Sequence, residues 1–189
     1  MRPPPYPSSN FASFVRAAPY HLPNMSDTPA PEWYLSDLLT PASIQLQLKG
    51  GNRDAVLAEL IEHIPSIAGQ PAAKQTLLRA LQEREDLHST GIGDGIALPH
   101  ARNALVGLVD RAVVVFGRHA NGVPYAAEDR IPAKVFFLLV ATNVSEHLRL
   151  LARISRLLRS HKLRQELFKV DKTENVIRLL RDAEQGMNR

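Results

Sequence analysis

Residues 89–102 read STGIGDGIALPHAR, with glycines at every second position (91, 93 and 95), then a short apolar run, then Pro99 and His100. An imidazole is a competent nucleophile near neutral pH, because much of it is unprotonated there. Glycines have no Cβ, so such a loop lets backbone approach a ligand closely, and its successive N–H groups can form an anion-binding concavity. No Gly-Lys-Ser/Thr follows, which excludes a nucleotide P-loop. The glycine spacing is wrong for a dinucleotide fingerprint, and Pro99 blocks a helix directly after it. The segment therefore points to a phosphoryl group rather than to ATP. Pro99 fixes its own φ and pushes Leu98 towards an extended conformation, so His100 is expected at the end of a short strand, held in a defined direction. On these residues alone, a histidine that merely caps a strand end stays open as the plainer alternative.

The longer stretch REDLHSTGIGDGIALPHAR, residues 84–102, resembles the active-site signature of type-2 enzyme IIA domains. These belong to the bacterial phosphoenolpyruvate-dependent phosphotransferase system, in its fructose, mannitol and nitrogen-regulatory classes. The similarity runs over roughly residues 35–183. It implies a phosphoryl relay in which a small histidine phosphocarrier, HPr or its nitrogen-branch counterpart, phosphorylates His100, with Nε2 as the acceptor. It also implies a sheet flanked by helices. In the family pattern an arginine matching Arg84 lies beside the active histidine, where its planar guanidinium can bind a phosphoryl group bidentately. Read alone, Arg84 would only favour the C-terminal dipole of a helix. His147, in VSEHLRLLARISRLL, matches a second family histidine that lines the same site, whereas in isolation it reads as a surface residue. The phosphate-binding set expected from the loop is Thr90, Gly91, Gly93 and Gly95. Ser89 and Thr90 could equally satisfy turn backbone. A carboxylate beside a phosphoryl group repels it, so Asp94 is expected to face solvent. His21, His63, His88, His119 and His161 have no convergent context. No metal site and no cofactor are expected.

These residues need elements to hold them. IQLQL (44–48) alternates like a half-buried strand. From Asn52, a candidate cap, Val56, Leu57, Leu60, Ile61 and Ile64 share a helical face that closes at Pro65 and Gly69. A second helix starts near Pro71 and runs to about Asp86, with Leu77, Leu78 and Leu81 inward. IAL (96–98) reads as a short strand, and RAVVVFG (111–117) and AKVFFLLVA (133–141) as central strands. ANGVPY between those two carries turn signals. Ser145 is the expected cap of a long helix whose apolar stripe is Leu148, Leu151, Ile154 and Leu158. A short helix around Leu163–Phe168 and a last one from Thr173 through Leu180 follow. The expected fold is a layered α/β sandwich, a mixed sheet of about five strands with helices on both faces.

The chain has 189 residues, of which 44% are hydrophobic and 22% charged, enough for one core of ordinary size. Eight of the 14 prolines fall in residues 1–31, and no glycine does. Residues 1–32 are therefore expected to form a disordered tail, with a partner-binding segment or translation starting at Met25 as alternatives, and residues 33–185 the phosphotransferase-type domain. Cysteine is absent, which excludes disulfides and a thiolate nucleophile. No run approaches the ~18 apolar residues of a membrane span and no secretory signal core is visible, so a cytoplasmic setting is expected. The net charge of +4 is mild. Residues 149–164 nevertheless hold Arg149, Arg153, Arg156, Arg159, Lys162 and Arg164 and no acid. That run reads as a solvated helix face or as a docking surface for an acidic partner; a nucleic-acid surface is poorly supported without an aromatic platform.

Two uses of a phosphohistidine compete. A nitrogen-regulatory protein signals through its phosphorylation state to target proteins, and a fructose-type IIA hands phosphate to a IIB cysteine upstream of a membrane IIC. With neither cysteine nor membrane span in the chain, the stand-alone regulatory type is favoured. A reading of another class is a non-catalytic interaction module with a relic histidine; the complete Arg84, His100 and His147 set argues against it.

Overall fold

The computed structural model describes residues 34–101 and 108–187. The expected tail, residues 1–32, lies outside them, as does Trp33. All the described residues belong to one compact unit, Trp33–Arg189.

Two strands carry the sheet. β4 (Val113–Val123) and β5 (Ala133–Val140) pair antiparallel, and their side chains alternate between two cores. Val114, Phe116, Val135, Phe137 and Leu139 enter one core, and Val113, Val115, Phe136, Leu138 and Val140 the other. A strand buried on both faces reads as an unbroken apolar run, which is why neither sequence alternates. Phe116 faces Phe137 across the strands in an edge-on pair with ring centroids 5.2 Å apart. Short strands complete the sheet: β1 (Ile44–Gln45), β2 (Gly91–Gly93) and β3 (Ile96–Ala97), in the order β1-β4-β5-β3-β2. β1 runs parallel to β4 and β3 parallel to β5, so the sheet is mixed.

Helices cover both faces. α1 (Arg53–Glu62) and α2 (Pro71–Leu87) bury Leu57, Leu60, Leu77 and Leu81 against one face. α3 (Val144–Leu157), α4 (His161–Lys169) and α5 (Thr173–Met187) bury Leu150, Ile154, Leu163 and Leu180 against the other. Fully burying a side chain of this size contributes about 1.5–3 kcal/mol. Asn52 caps α1 by accepting from the Ala55 N–H at 2.9 Å, and Pro71 occupies the first turn of α2, both as the sequence implies. Gly117 lets α1 approach β4: a Cβ there would stand 2.5 Å from Leu60 Cδ2. Buried Glu184 of α5 accepts from the Leu35 N–H (2.6 Å), the Ser36 N–H (3.1 Å), the Ser36 hydroxyl (2.9 Å) and Arg153 Nε (2.5 Å), tying the 3-10 turn Leu35–Leu38 to α3 and α5.

Several expectations change. The strand expected at 44–48 pairs only at Ile44–Gln45: a bend at Leu46 puts Ile44 and Leu48 in opposite cores, where a regular strand would place them on one face. The turn expected at ANGVPY is not a hairpin, because β4 continues to Val123 and absorbs the extra residues as an irregularity between Arg118 and Val123, with Gly122 at φ 81°. The cap of α3 is Asn143, not Ser145. Asn143 Oδ1 accepts from the Glu146 N–H at 2.9 Å, and Glu146 reaches back to the Thr142 N–H (2.9 Å) and hydroxyl (2.7 Å). The buried stripe of α3 includes Leu150, and Leu148 is exposed. α5 runs to Met187, well past Leu180.

Candidate active site

His100 follows β3 and is held beside the end of β5. The Leu98 N–H donates to the Thr90 carbonyl (3.0 Å), the Leu139 N–H donates to the Pro99 carbonyl (2.9 Å), and His100 makes a parallel bridge to Leu139. Pro99 cannot donate, yet its carbonyl completes the ladder. The side chain then turns back on its own strand. Nδ1 lies 2.7 Å from the Leu98 carbonyl. A carbonyl only accepts, so Nδ1 carries the hydrogen and, in the neutral ring, the lone pair sits on Nε2. β5 ends close to the start of α3, whose first turn brings His147 over the site. The two imidazole centroids are 5.1 Å apart with planes tilted by 57°.

Arg84 completes the group from the last turn of α2. Its guanidinium donates to the His88 carbonyl at 2.6 Å, just past the helix end. His100 is half-buried, and desolvation holds its pKa below the ordinary histidine value; the Leu98 hydrogen bond opposes this, while the charges of Arg84 and His147 add to it. His147 is lowered by desolvation and then by Arg84. Both imidazoles are therefore neutral at pH 7, with a fixed cation nearby. The N-terminus of α3 adds positive potential.

One buried carboxylate underpins the arrangement. Glu85 accepts from the Thr90 N–H (2.9 Å), the Thr90 hydroxyl and the Tyr125 hydroxyl (3.1 Å). Burial and the Glu85 charge push the Tyr125 hydroxyl pKa upward. Glu85 thus staples the end of α2 to the segment 88–90. That segment supplies the carbonyl that holds Arg84 and the carbonyl that holds the strand of His100. The apolar stripe of α2, Leu77 and Leu81, runs on into Glu85 at the same four-residue spacing, which is the signal in the sequence that this carboxylate is buried.

The glycines build a tight hairpin. β2 and β3 form a hairpin with Gly91 opposite Ala97 and Gly93 opposite Ile96. Its tip has Gly93, Asp94 and Gly95 at φ 86°, 52° and 76°, the left-handed conformations such a turn requires. The Asp94 N–H donates to Asp129 Oδ2 (2.6 Å), so an amide of the tip serves a carboxylate. Because Ile96 pairs with Val135 and His100 with Leu139, Ile96 lies four residues back along the strand, about 13 Å from His100, and the tip at 93–95 lies beyond it. Gly93 and Gly95 shape this hairpin turn. Thr90 is buried with its hydroxyl hydrogen given to Glu85, so it is not free to donate to an oxyanion. Gly91 packs against Ala127 and Ser89. Asp94 is exposed, as expected, and also pairs with Arg164 at 3.2 Å. Of the other histidines, His88 and His161 are exposed and His63 bonds the Ala42 carbonyl and Gln45. Among the described residues no three His, Asp or Glu side chains converge on a metal position.

Residues 37–183 match the family model described as "Phosphoenolpyruvate-dependent sugar phosphotransferase system, EIIA 2". The chain belongs to this family. It is 30% identical over 154 residues to a Pseudomonas aeruginosa protein named nitrogen regulatory protein, covering 80% of this chain and 97% of that one. It is 32% identical over 148 residues to the fructose-specific EIIABC component of Bacillus subtilis, but spans only 23% of that longer protein. Among solved structures, the nitrogen regulatory protein IIA-Ntr of Neisseria meningitidis superposes with a TM-score of 0.67 at 28% identity, over 77% of this chain and 97% of that one. The EIIA 2 fold agrees with the mixed five-strand sheet flanked by helices. Among the described residues no helix is long and apolar enough to cross a membrane.

Proposed function

We propose that this EIIA 2 domain accepts a phosphoryl group on Nε2 of His100 from a histidine phosphocarrier protein. The observation that carries the reading is the orientation of His100: Nδ1–H is committed to the Leu98 carbonyl, so the nucleophilic lone pair is at Nε2, beside His147 and within the field of Arg84. In the step, the Nε2 lone pair attacks phosphorus. The P–N bond of the carrier phosphohistidine breaks, and its electron pair leaves with the carrier imidazole. The His100 ring becomes cationic while keeping Nδ1–H, and the Leu98 carbonyl stabilises that charge. Arg84 and a neutral His147 N–H hold the oxygens of the transferring group, so catalysis is positioning and electrostatics.

The rim of the site suits a protein donor. Leu87 is 63% exposed beside His88, and Val144 (63%) and Leu148 (59%) flank His147 on α3. Exposed large aliphatics around a polar centre mark an association surface.

We read the domain, taken as residues 33–185, as a nitrogen-type regulatory IIA protein that works in the cytoplasm and signals to target proteins. The near-complete coverage of the P. aeruginosa relative supports this. The B. subtilis relative supports the second reading, a fructose-type IIA that passes phosphate to a IIB. Incubation of the full chain with phosphorylated carrier, followed by mapping of acid-labile phosphate, tests the acceptor; label on any residue other than His100 refutes it. Rapid onward transfer to a fructose-type IIB would refute the regulatory reading.

A further inference from the structure

The six basic residues of segment 149–164 do not form one surface. Arg164 is turned inward: it donates to the carbonyls of Leu158 (2.7 Å) and Arg159 (3.2 Å) and pairs with Asp94. Arg153 is bound to buried Glu184, and its guanidinium lies over the Tyr34 ring, 5.6 Å from the centroid. Lys162 is on α4, in a separate hollow with Glu166 and Asp182. Arg149, Arg156 and Arg159 remain, and among the described residues none of them is in an ion pair. They line, with Arg153, Ala152, Ser155 and Met187 from the end of α5, a groove of about 690 Å³ along the outer side of α3. Arg149 also lines a hollow of about 380 Å³, where Arg111, two residues before β4, is accompanied by the acids Asp37 and Glu146, so the basic face ends there.

This face is built against its own electrostatics. Arg149, Arg153 and Arg156, with Arg159 beyond them, stand at i, i+3 and i+4 spacings, and like charges so placed oppose a helix. No Asp or Glu lies between 149 and 159, and of these charges only Arg153 is offset, by Glu184 of α5. Small Ala152 and Ser155 keep the groove floor open between the guanidiniums. At 1.5 Å per residue the stripe is about 15 Å long, about three turns of helix. It is also separate from the transfer site: at about 100° per residue, Arg149 and Arg156 point nearly opposite to His147 around α3. The charge effects on His100 come from Arg84 and His147, not from this stripe.

We propose that the outer face of α3 is a docking surface for an acidic protein segment, a helix whose Asp or Glu side chains on one face meet Arg149, Arg156 and Arg159. Guanidiniums bind carboxylates bidentately, and charge complementarity across such a face sets partner choice and encounter rate. Among the described residues no aromatic lines the groove to stack nucleic-acid bases, and its one large apolar side chain, Met187, is half-buried rather than offered to a lipid surface. The proposal does not rest on phosphoryl transfer at His100. A partner held here would leave the imidazole open, so a target could be bound while phosphorylation is read out.

The test uses the full chain, isotope-labelled for NMR, at physiological salt. The probe is a synthetic helical peptide with glutamates along one face; a short DNA duplex and anionic vesicles serve as rival probes. The glutamate peptide is expected to shift the amides of 149–159. The triple variant Arg149→Gln, Arg156→Gln, Arg159→Gln is expected to weaken binding about tenfold or more, and Lys162→Gln, Lys169→Gln, Lys172→Gln, an equal charge change elsewhere, less than about twofold. Gln keeps helix propensity, so the triple variant stays folded. Equal weakening by both variants, shifts elsewhere, or tighter binding of DNA or vesicles to the same amides would overturn the proposal. A loss of carrier-dependent phosphorylation in the first triple variant would overturn it too, because the stripe would then belong to the carrier's footprint.

Discussion

His100 donates from Nδ1 to the carbonyl of Leu98, two residues back in its own strand, at 2.7 Å. This contact leaves the lone pair of the neutral ring on Nε2, the nitrogen that the proposed phosphoryl acceptance requires, because a neutral imidazole has one acceptor nitrogen. Phosphorylated full chain is expected to give a heteronuclear NMR signature of phosphate on Nε2. His100→Ala is expected to take up no acid-labile phosphate while unfolding within a few degrees of the parent.

Burial lowers the pKa of both His100 and His147, and the charge of Arg84 adds to the effect at each. Arg84→Ala removes that cation, so both imidazoles are expected to titrate at higher pH, seen in NMR titrations of the ring protons. Phosphoryl acceptance is expected to fall about a hundredfold, the usual scale for losing one charged transition-state donor. Arg84→Lys restores the charge and hence the low pKa values, but only part of the rate, since an ammonium cannot bind two oxygens in a fork.

The same pKa directions set a pH profile. Folded His100 and His147 titrate below the unfolded value, so the folded state binds fewer protons than the unfolded chain where the latter protonates. Their contribution to stability is present above the unfolded pKa of about 6.5 and is lost as pH falls through the folded pKa values. The rate of phosphorylation is expected to be flat above about pH 6.5 and to fall only at more acid pH, as Nε2 protonates. A rate that already declines between pH 8 and 7 would contradict this.

Gly95 turns at φ 76° with Phe168 3.4 Å from where a Cβ would sit. Gly95→Ala is expected to cost about 1–2 kcal/mol in denaturant unfolding, through the left-handed backbone penalty. Measured where the variant is folded, phosphorylation is expected to stay close to the parent rate. A large rate loss with little stability loss would instead place the hairpin tip at the phosphoryl group.

Glu85→Ala leaves the Thr90 N–H, the Thr90 hydroxyl and the Tyr125 hydroxyl buried without an acceptor. A loss of about 3 kcal/mol, roughly 10 °C in Tm for a chain of this size, is expected. Thr90→Val removes one donor and keeps the rest, so about 1 kcal/mol is expected. Because the staple also holds the His88 carbonyl that orients Arg84, Glu85→Ala is expected to raise the His100 pKa, as Arg84→Ala does, whereas Thr90→Val leaves it nearly unchanged.

Much of this protein is local, and local physics can be read along the chain. The apolar runs at 113–116 and 135–140 are legible as strands buried on both faces, because such strands need apolar side chains at every position. Asn52 caps and Pro71 starts a helix through groups within one turn. Pro99 before His100 presents the imidazole through a backbone restriction acting on neighbours. The cap at Asn143 was equally local, with Glu146 three residues on, and Ser145 merely competed with it.

What the tertiary structure decided depends on groups that meet across the sheet. Spacing in the sequence cannot show how far the glycine tip lies from His100; the parallel register of β3 on β5 does, because it fixes distance along the strand. Nor can it show that Thr90 belongs to Glu85, or that Arg153 and Arg164 are consumed by Glu184 and Asp94 while Arg149, Arg156 and Arg159 stay on the surface. Residue types set which chemistry was available. Packing set which of those groups face one another, since burial forces each polar atom to find a partner and leaves only the remainder for function.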